Sequence, residues 1–157
     1  MYSIQSYLNT SRRQVREIGL KVFNKDVWPS FVSILWKPHP HSCVIQCDDK
    51  VVGFALLSYG AERTNLPQGL EIAFLAIDEE YQGNGLGGEL LEYIKTLNYQ
   101  HFWLYVAYSN PDAQRLYKRH GFKIWRTIGD KEEGGYVMGY SRNVWAGRLR
   151  KSSGSKN

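Results

Sequence analysis

The sequence predicts a single-domain mixed α/β fold with a mostly antiparallel sheet flanked by helices. Three observations predict it. Short apolar, β-branched runs recur at 43–47, 51–59, 70–77, 101–106, 122–127 and 136–140, each bounded by turn residues. Between two of them, Leu86, Leu90, Leu91, Ile94 and Leu97 recur at helical spacing. The 157 residues, 43% hydrophobic and 22% charged, suffice for one core and no more.

In chain order, Ser11 is placed to cap a helix to about Asn24, with Val15, Ile18 and Val22 on one face. Trp28, Phe31, Ile34 and Trp36 suit a second short helix before the turn Pro38-His39-Pro40-His41. Residues 43–47 and 51–59 form a hairpin over Asp48-Asp49-Lys50, and a polar loop with Gly60, Asn65, Pro67 and Gly69 follows. Residues 70–77 are apolar on both faces except Glu71, as in a strand covered on both sides. Gly85 opens the next helix. After the strand at 101–106, Asn110 or Asp112 caps a helix that Gly121 ends in the C′ position. The last two runs close the sheet as an antiparallel pair. Residues 1–145 make the domain and 146–157 a basic, disordered tail.

Composition narrows the function. No apolar run reaches the roughly 20 residues of a membrane helix, and the first residues lack the pattern of a signal peptide. Cys43 and Cys47, four apart on one strand, are too distant to bridge; reduced thiols and a cytoplasmic setting follow. The net charge of +5 describes the tail: five basic residues lie from Arg142 onward, leaving 15 basic against 15 acidic. No aromatic–basic interleaving in the body points to nucleic acid.

The segment 78–88 is the most informative. Gly83, Gly85, Gly87 and Gly88 stand between a buried strand and a helix, where glycine is unfavourable for packing alone. Such a loop lets backbone N–H groups surround an anion at the positive end of a helix dipole. A pyrophosphate suits it; a plain flexible turn is the alternative. Gly83, Gly85 and Gly88 satisfy G-x-G-x-x-G, yet five residues separate Ile77 from Gly83 and no carboxylate ends the next strand, so a nicotinamide dinucleotide does not fit. No Gly-Lys-Ser/Thr follows, which excludes a Walker loop.

The pattern Gln82-Gly83-Asn84-Gly85-Leu86-Gly87, read with the strand before it, resembles the acetyl-coenzyme A motif of the GNAT (GCN5-related N-acetyltransferase) superfamily. A second block, residues 110–122 with Asn110, Ala113, Leu116-Tyr117 and Gly121-Phe122, is similar to that family's downstream signature. The resemblance covers about residues 43–140 and implies the GNAT acyltransferase fold, with acetyl-CoA as cosubstrate and no metal. It implies that the backbone of Leu75, Ala76 and Ile77 pairs with the pantetheine arm. The amides of Gln82, Gly83, Asn84, Gly85, Leu86, Gly87 and Gly88 would hold the pyrophosphate, and Asn110 would bond the cofactor. Relatives often form homodimers, which allows one here.

The implied reaction is direct attack of a neutral amine on the thioester. An ammonium with a pKa of ~10.4 must first lose its proton. Glu71, the one ionisable residue in its strand, is the candidate base, with ordered water or a solvent-exposed strand entrance as the alternatives. A backbone N–H near Leu75 suits the developing oxyanion. Tyr117 stands where many family members carry the acid for the departing thiolate; a packed core tyrosine is the plain alternative. Trp28, Trp36 and Tyr136 fall where relatives border the acceptor cleft. His39, His41, Cys43 and Cys47 match no zinc spacing. The acceptor is an amine of a protein (lysine or N-terminus), a polyamine or another small molecule. Two rival readings are a non-catalytic coenzyme-A-binding sensor or scaffold and a nucleic-acid protein acting through its tail.

Overall fold

The computed structural model describes residues 1–60 and 66–142. Asn65, Trp145 and the tail expected at 146–157 lie outside the described residues. Seven strands form one sheet in the order β1-β2-β3-β4-β5-β7-β6. These are β1 (Tyr2–Ser6), β2 (Cys43–Cys47), β3 (Lys50–Ser58), β4 (Leu70–Ile77), β5 (His101–Ala107), β6 (Lys123–Ile128) and β7 (Gly135–Ser141). Among the described residues four α-helices flank it: α1 (Arg12–Val22), α2 (Trp28–Trp36), α3 (Leu86–Lys95) and α4 (Pro111–Arg119). Every strand pair is antiparallel except β4 with β5.

The alternation of β3 divides the core. Phe54 and Leu56 pack with Val15, Ile18, Phe31 and Leu35 of α1 and α2. Ala55 and Leu57 face the opposite side, with Leu90, Leu91 and Ile94 of α3 and Phe102 of β5. The β2–β3 turn puts Asp48 and Asp49 at φ +48° and +72°, the left-handed pair of a two-residue hairpin that Asp tolerates.

Three local readings change. β1 was not expected from the sequence: only Ile4 of its five residues is even partly buried, so no alternation marks it. Ser11 is not a side-chain cap for α1. It ends a short 3₁₀ turn, and its hydroxyl accepts from Leu8 N–H (3.5 Å). The final pair forms as expected, but β7 lies between β5 and β6, so the chain passes over one strand position before returning.

Candidate active site

β4 carries the site. Against β3 it pairs from Ser58↔Glu71 to Gly53↔Ile77, with one extra β4 residue, Ala73, between Leu57↔Ile72 and Leu56↔Phe74. Against β5 it pairs at two positions, Leu70↔Phe102 and Glu71↔Trp103, after which the parallel strands part. Asp78 N–H donates to Val52 C=O (2.8 Å). By alternation Ala76 and Phe74 also turn their backbone groups toward β3, whereas Leu75 and Ile77 turn theirs into the gap. The three residues expected to act alike therefore differ: Leu75 and the Ile77 N–H offer free-edge backbone, the Ile77 C=O is taken by Gln82 Nε2, and Ala76 is committed to the sheet.

At the open end of that gap lies the glycine loop. Gln82 Nε2 donates to Ile77 C=O (2.9 Å) and Asn84 Nδ2 to Tyr81 C=O (3.0 Å), so both side chains shape the loop from within. Gly83 and Gly85 sit at φ +84° and +76°, and a Cβ on either would meet nothing within 4 Å. Backbone conformation, not crowding, favours glycine there. Gly88 is the opposite case: its Cβ would lie 2.6 Å from His120 Nε2, so close packing of α3 on the end of α4 requires it.

Helix α3 makes its first internal bond from Glu89 N–H to Gly85 C=O (3.1 Å). The amides of Gly85, Leu86, Gly87 and Gly88 have no acceptor among the described residues. Four such donors at a helix N-terminus, beside a bare strand edge, fit a pyrophosphate with an amide-bearing arm.

The second wall of the gap comes from α4. Asn110 Oδ1 accepts from Ala113 N–H (3.2 Å), which makes Asn110 rather than Asp112 the cap. The helix closes with Phe122 N–H to Tyr117 C=O (3.0 Å) and Gly121 N–H to Lys118 C=O (3.1 Å), with Gly121 at φ +89°. Gln114 was missed from the sequence. Its Nε2 donates to Ala107 C=O (3.0 Å) and Tyr108 C=O (3.2 Å), fixing α4 to the tip of β5. Tyr117 packs its ring on Phe122 (6.1 Å between centroids), and burial pushes its hydroxyl up to about 12. That hydroxyl makes no hydrogen bond with another described residue and stays protonated at neutral pH.

On the other side of β4 a cleft of about 790 Å³ opens, lined by α2, the end of β3, the β4 bulge and Tyr105. Glu71 stands in its wall, half-buried, with Oε1 accepting from Ser58 Oγ (2.7 Å). The expected aromatic wall is different from the one observed. Trp36 lies under the Arg12 guanidinium, Trp28 donates to Phe23 C=O, and Tyr136 packs on Tyr108. Tyr59, Phe74 and Tyr105 line the cleft instead. Only the register of β3, β4 and β5 brings those three together, which no local pattern encodes.

The model of the acetyltransferase (GNAT) family matches residues 10–122. A mycothiol acetyltransferase of Acidothermus cellulolyticus is 38% identical over 73 residues, which span 44% of this chain and 22% of that protein. An uncharacterized N-acetyltransferase of Mycobacterium tuberculosis is 29% identical over 116 residues, 69% of this chain and 71% of that protein. Among solved structures, a GNAT family acetyltransferase of Bacillus cereus superposes with a TM-score of 0.73 (13% identity, 90% of this chain, 98% of that one). Arabidopsis thaliana Naa50, in complex with the bisubstrate analogue CoA-Ac-MVNAL, does so with 0.64 (20% identity, 90% and 99%). The parted strands, the glycine loop at the head of α3 and the capped α4 fall within or beside the matched residues, and the chain belongs to the GNAT acetyltransferase family.

Proposed function

We propose that the chain transfers acetyl from acetyl-CoA to a primary amine by direct attack. The observation that carries this is the parting of β4 from β5 beside four helix-N-terminal amides without acceptors among the described residues. Acetyl-CoA supplies the acetyl group already activated as a thioester. Leu75 and Ile77 hold the pantetheine arm by their backbone, and the amides from Gly85 to Gly88 hold the pyrophosphate. Gln82, Asn84 and Asn110 support that surface by keeping the loop and α4 in shape.

The acceptor enters from the cleft on the far side of β4. Glu71 takes the ammonium proton, and Ser58 holds the carboxylate in one orientation. The Leu75 N–H faces the carbonyl oxygen as charge develops. Tyr117 returns a proton to the departing sulfur, a role that its retained hydroxyl proton suits. Among the described residues, Glu71 and Lys37 are the charged groups lining the cleft. One carboxylate opposite a lysine disfavours a polycation, so a single amine on a protein or small molecule suits it better than a polyamine. The free thiols of Cys43 and Cys47 suit a cytoplasmic enzyme.

Calorimetric titration with acetyl-CoA, with NAD and ATP as controls, tests the first half; thiol release across an amine panel tests the second. Binding of acetyl-CoA alone with amine-dependent thiol release is expected. No binding overturns the reading, and binding without transfer to any amine favours a sensor. Gly85→Asp should abolish binding, since its carboxylate would oppose the pyrophosphate at a backbone position Asp tolerates.

A further inference from the structure

The turn between α2 and β2 holds a buried histidine that the reaction does not use. His39 is 4% exposed, and its backbone N–H donates to Leu57 C=O (3.0 Å). His41 N–H donates to His39 Nδ1 (3.0 Å), which leaves the ring proton on Nε2, 3.1 Å from the Tyr99 hydroxyl. The face of the imidazole lies against Tyr59, centroids 4.4 Å apart. Ser42 completes the turn: its N–H donates to His39 C=O (2.9 Å), and its Oγ accepts from Leu57 N–H (2.9 Å). Leu57, Ser58 and Tyr59 are consecutive. One turn therefore fixes the segment that supplies both the Ser58 bond to Glu71 and the Tyr59 ring of the cleft.

We infer that His39 is a positioning residue for the acceptor: through Leu57 and Tyr59 it sets one wall of the cleft and the orientation of Glu71. The inference rests on the acceptor-cleft reading above. Tyr99 extends the brace to the foot of β5, because its ring packs on Phe102, the partner of Leu70 at the closed end of the β4–β5 pair. A second proton on His39 would set an Nδ1–H against the His41 N–H, so the brace requires the neutral ring. Among the described residues the titratable groups on that ring are His41, Tyr59 and Tyr99. Burial and the neighbouring His41 both hold His39 below its usual pKa of 6.5.

The test compares wild type, His39→Ala and Tyr99→Phe, with phenethylamine and a lysine-bearing pentapeptide with a free amino terminus as acceptors. His39→Ala should raise acceptor KM about five- to tenfold, the worth of one or two ordinary hydrogen bonds, with acetyl-CoA affinity unchanged. A purely structural role would lower the active fraction and leave KM alone. Wild-type KM should climb in a pH range lower than the ordinary histidine value, as His39 takes a second proton, and His39→Ala should lose that part of the slope. Tyr99→Phe, which removes only the hydroxyl, should shift KM the same way by less and serves if His39→Ala does not fold. On the free protein, hydrogen exchange should find the Leu57 amide, bonded to Ser42 Oγ, protected in wild type and faster in the variants. That readout needs neither acetyl-CoA nor turnover, so failure of acetyl-CoA binding would sink the functional reading, while the exchange data would still decide whether His39 holds this segment. A Leu57 amide equally protected in wild type and both variants overturns the inference, as does acetyl-CoA affinity falling as acceptor KM rises.

Discussion

Two side chains carry the proton traffic proposed here, and their settings differ. Tyr117 sits against the core with a hydroxyl that burial pushes up to about 12. A free phenol near ~10 would be half ionised at pH 10 and useless as an acid there, whereas Tyr117 keeps its proton. Tyr117→Phe should lower kcat about 10- to 100-fold, within the range general acids supply, and leave acetyl-CoA affinity unchanged. Wild-type kcat should show no alkaline fall that depends on Tyr117 below about pH 11, checked by comparing the two pH profiles. Glu71 is held by Ser58 (2.7 Å) in the opposite cleft. Glu71→Gln should reduce the rate most near neutral pH, and the deficit should shrink as pH approaches ~10, where the amine sheds its own proton. An unaltered pH profile in that variant would return the base role to water. Tyr117 and Glu71 were both candidates from the sequence, one by its place in a family motif and the other as the lone charge in an apolar strand. Ser58, Tyr59 and Tyr105 were not, because a residue's role as a wall depends on which strands become its neighbours.

The helices show the same division between local and distant causes. The end of α4 at Gly121 and the start of α3 at Gly85 are written in the chain, since a left-handed backbone position selects glycine by itself. Gly88 looked like one more member of the phosphate loop. Its distinct reason, the His120 ring lying against it, arises only when α3 and α4 pack. That ring is in turn held by Glu92 (2.6 Å), whose carboxyl His120 and Lys95 hold below the usual range. Gly88→Ala should destabilise the fold by about 1–3 kcal/mol, the usual penalty of overpacking. In urea titrations, Gly88→Ala with His120→Ala should be less harmful than the sum of the two, since the clash exists only when both partners are present. Additive effects would show that the ring yields without strain. The first ten residues were illegible for a different reason: β1 exposes four of its five side chains and is held by backbone bonds to β2, which carry no sequence signal.

At the scale of the whole molecule, the order of strands was inferable only in outline. A hairpin, a parallel crossover and a closing pair could be read from the chain, but the insertion of β7 between β5 and β6 could not, because no local pattern says which of the two strands borders β5. The parting of β4 and β5 predicts a pattern of hydrogen exchange. Leu75 and Ile77 amides should exchange fast in the free protein and slow by roughly tenfold or more with saturating acetyl-CoA, while Ala76 stays slow throughout. Equal behaviour of the three would contradict the alternation argued from Asp78. An ordinary open sheet has two rims, both on its outside, and natural chains blunt them with short strands, charge or proline. This sheet has a second pair of rims in its middle, where β4 and β5 diverge. No gatekeeping side chain can be placed there without closing the gap to the cosubstrate. A safeguard against self-pairing would have to be geometric: a wedge that admits a thin, unbranched amide chain and excludes a foreign strand with side chains. Selectivity for the donor and resistance to aggregation would then come from one and the same width.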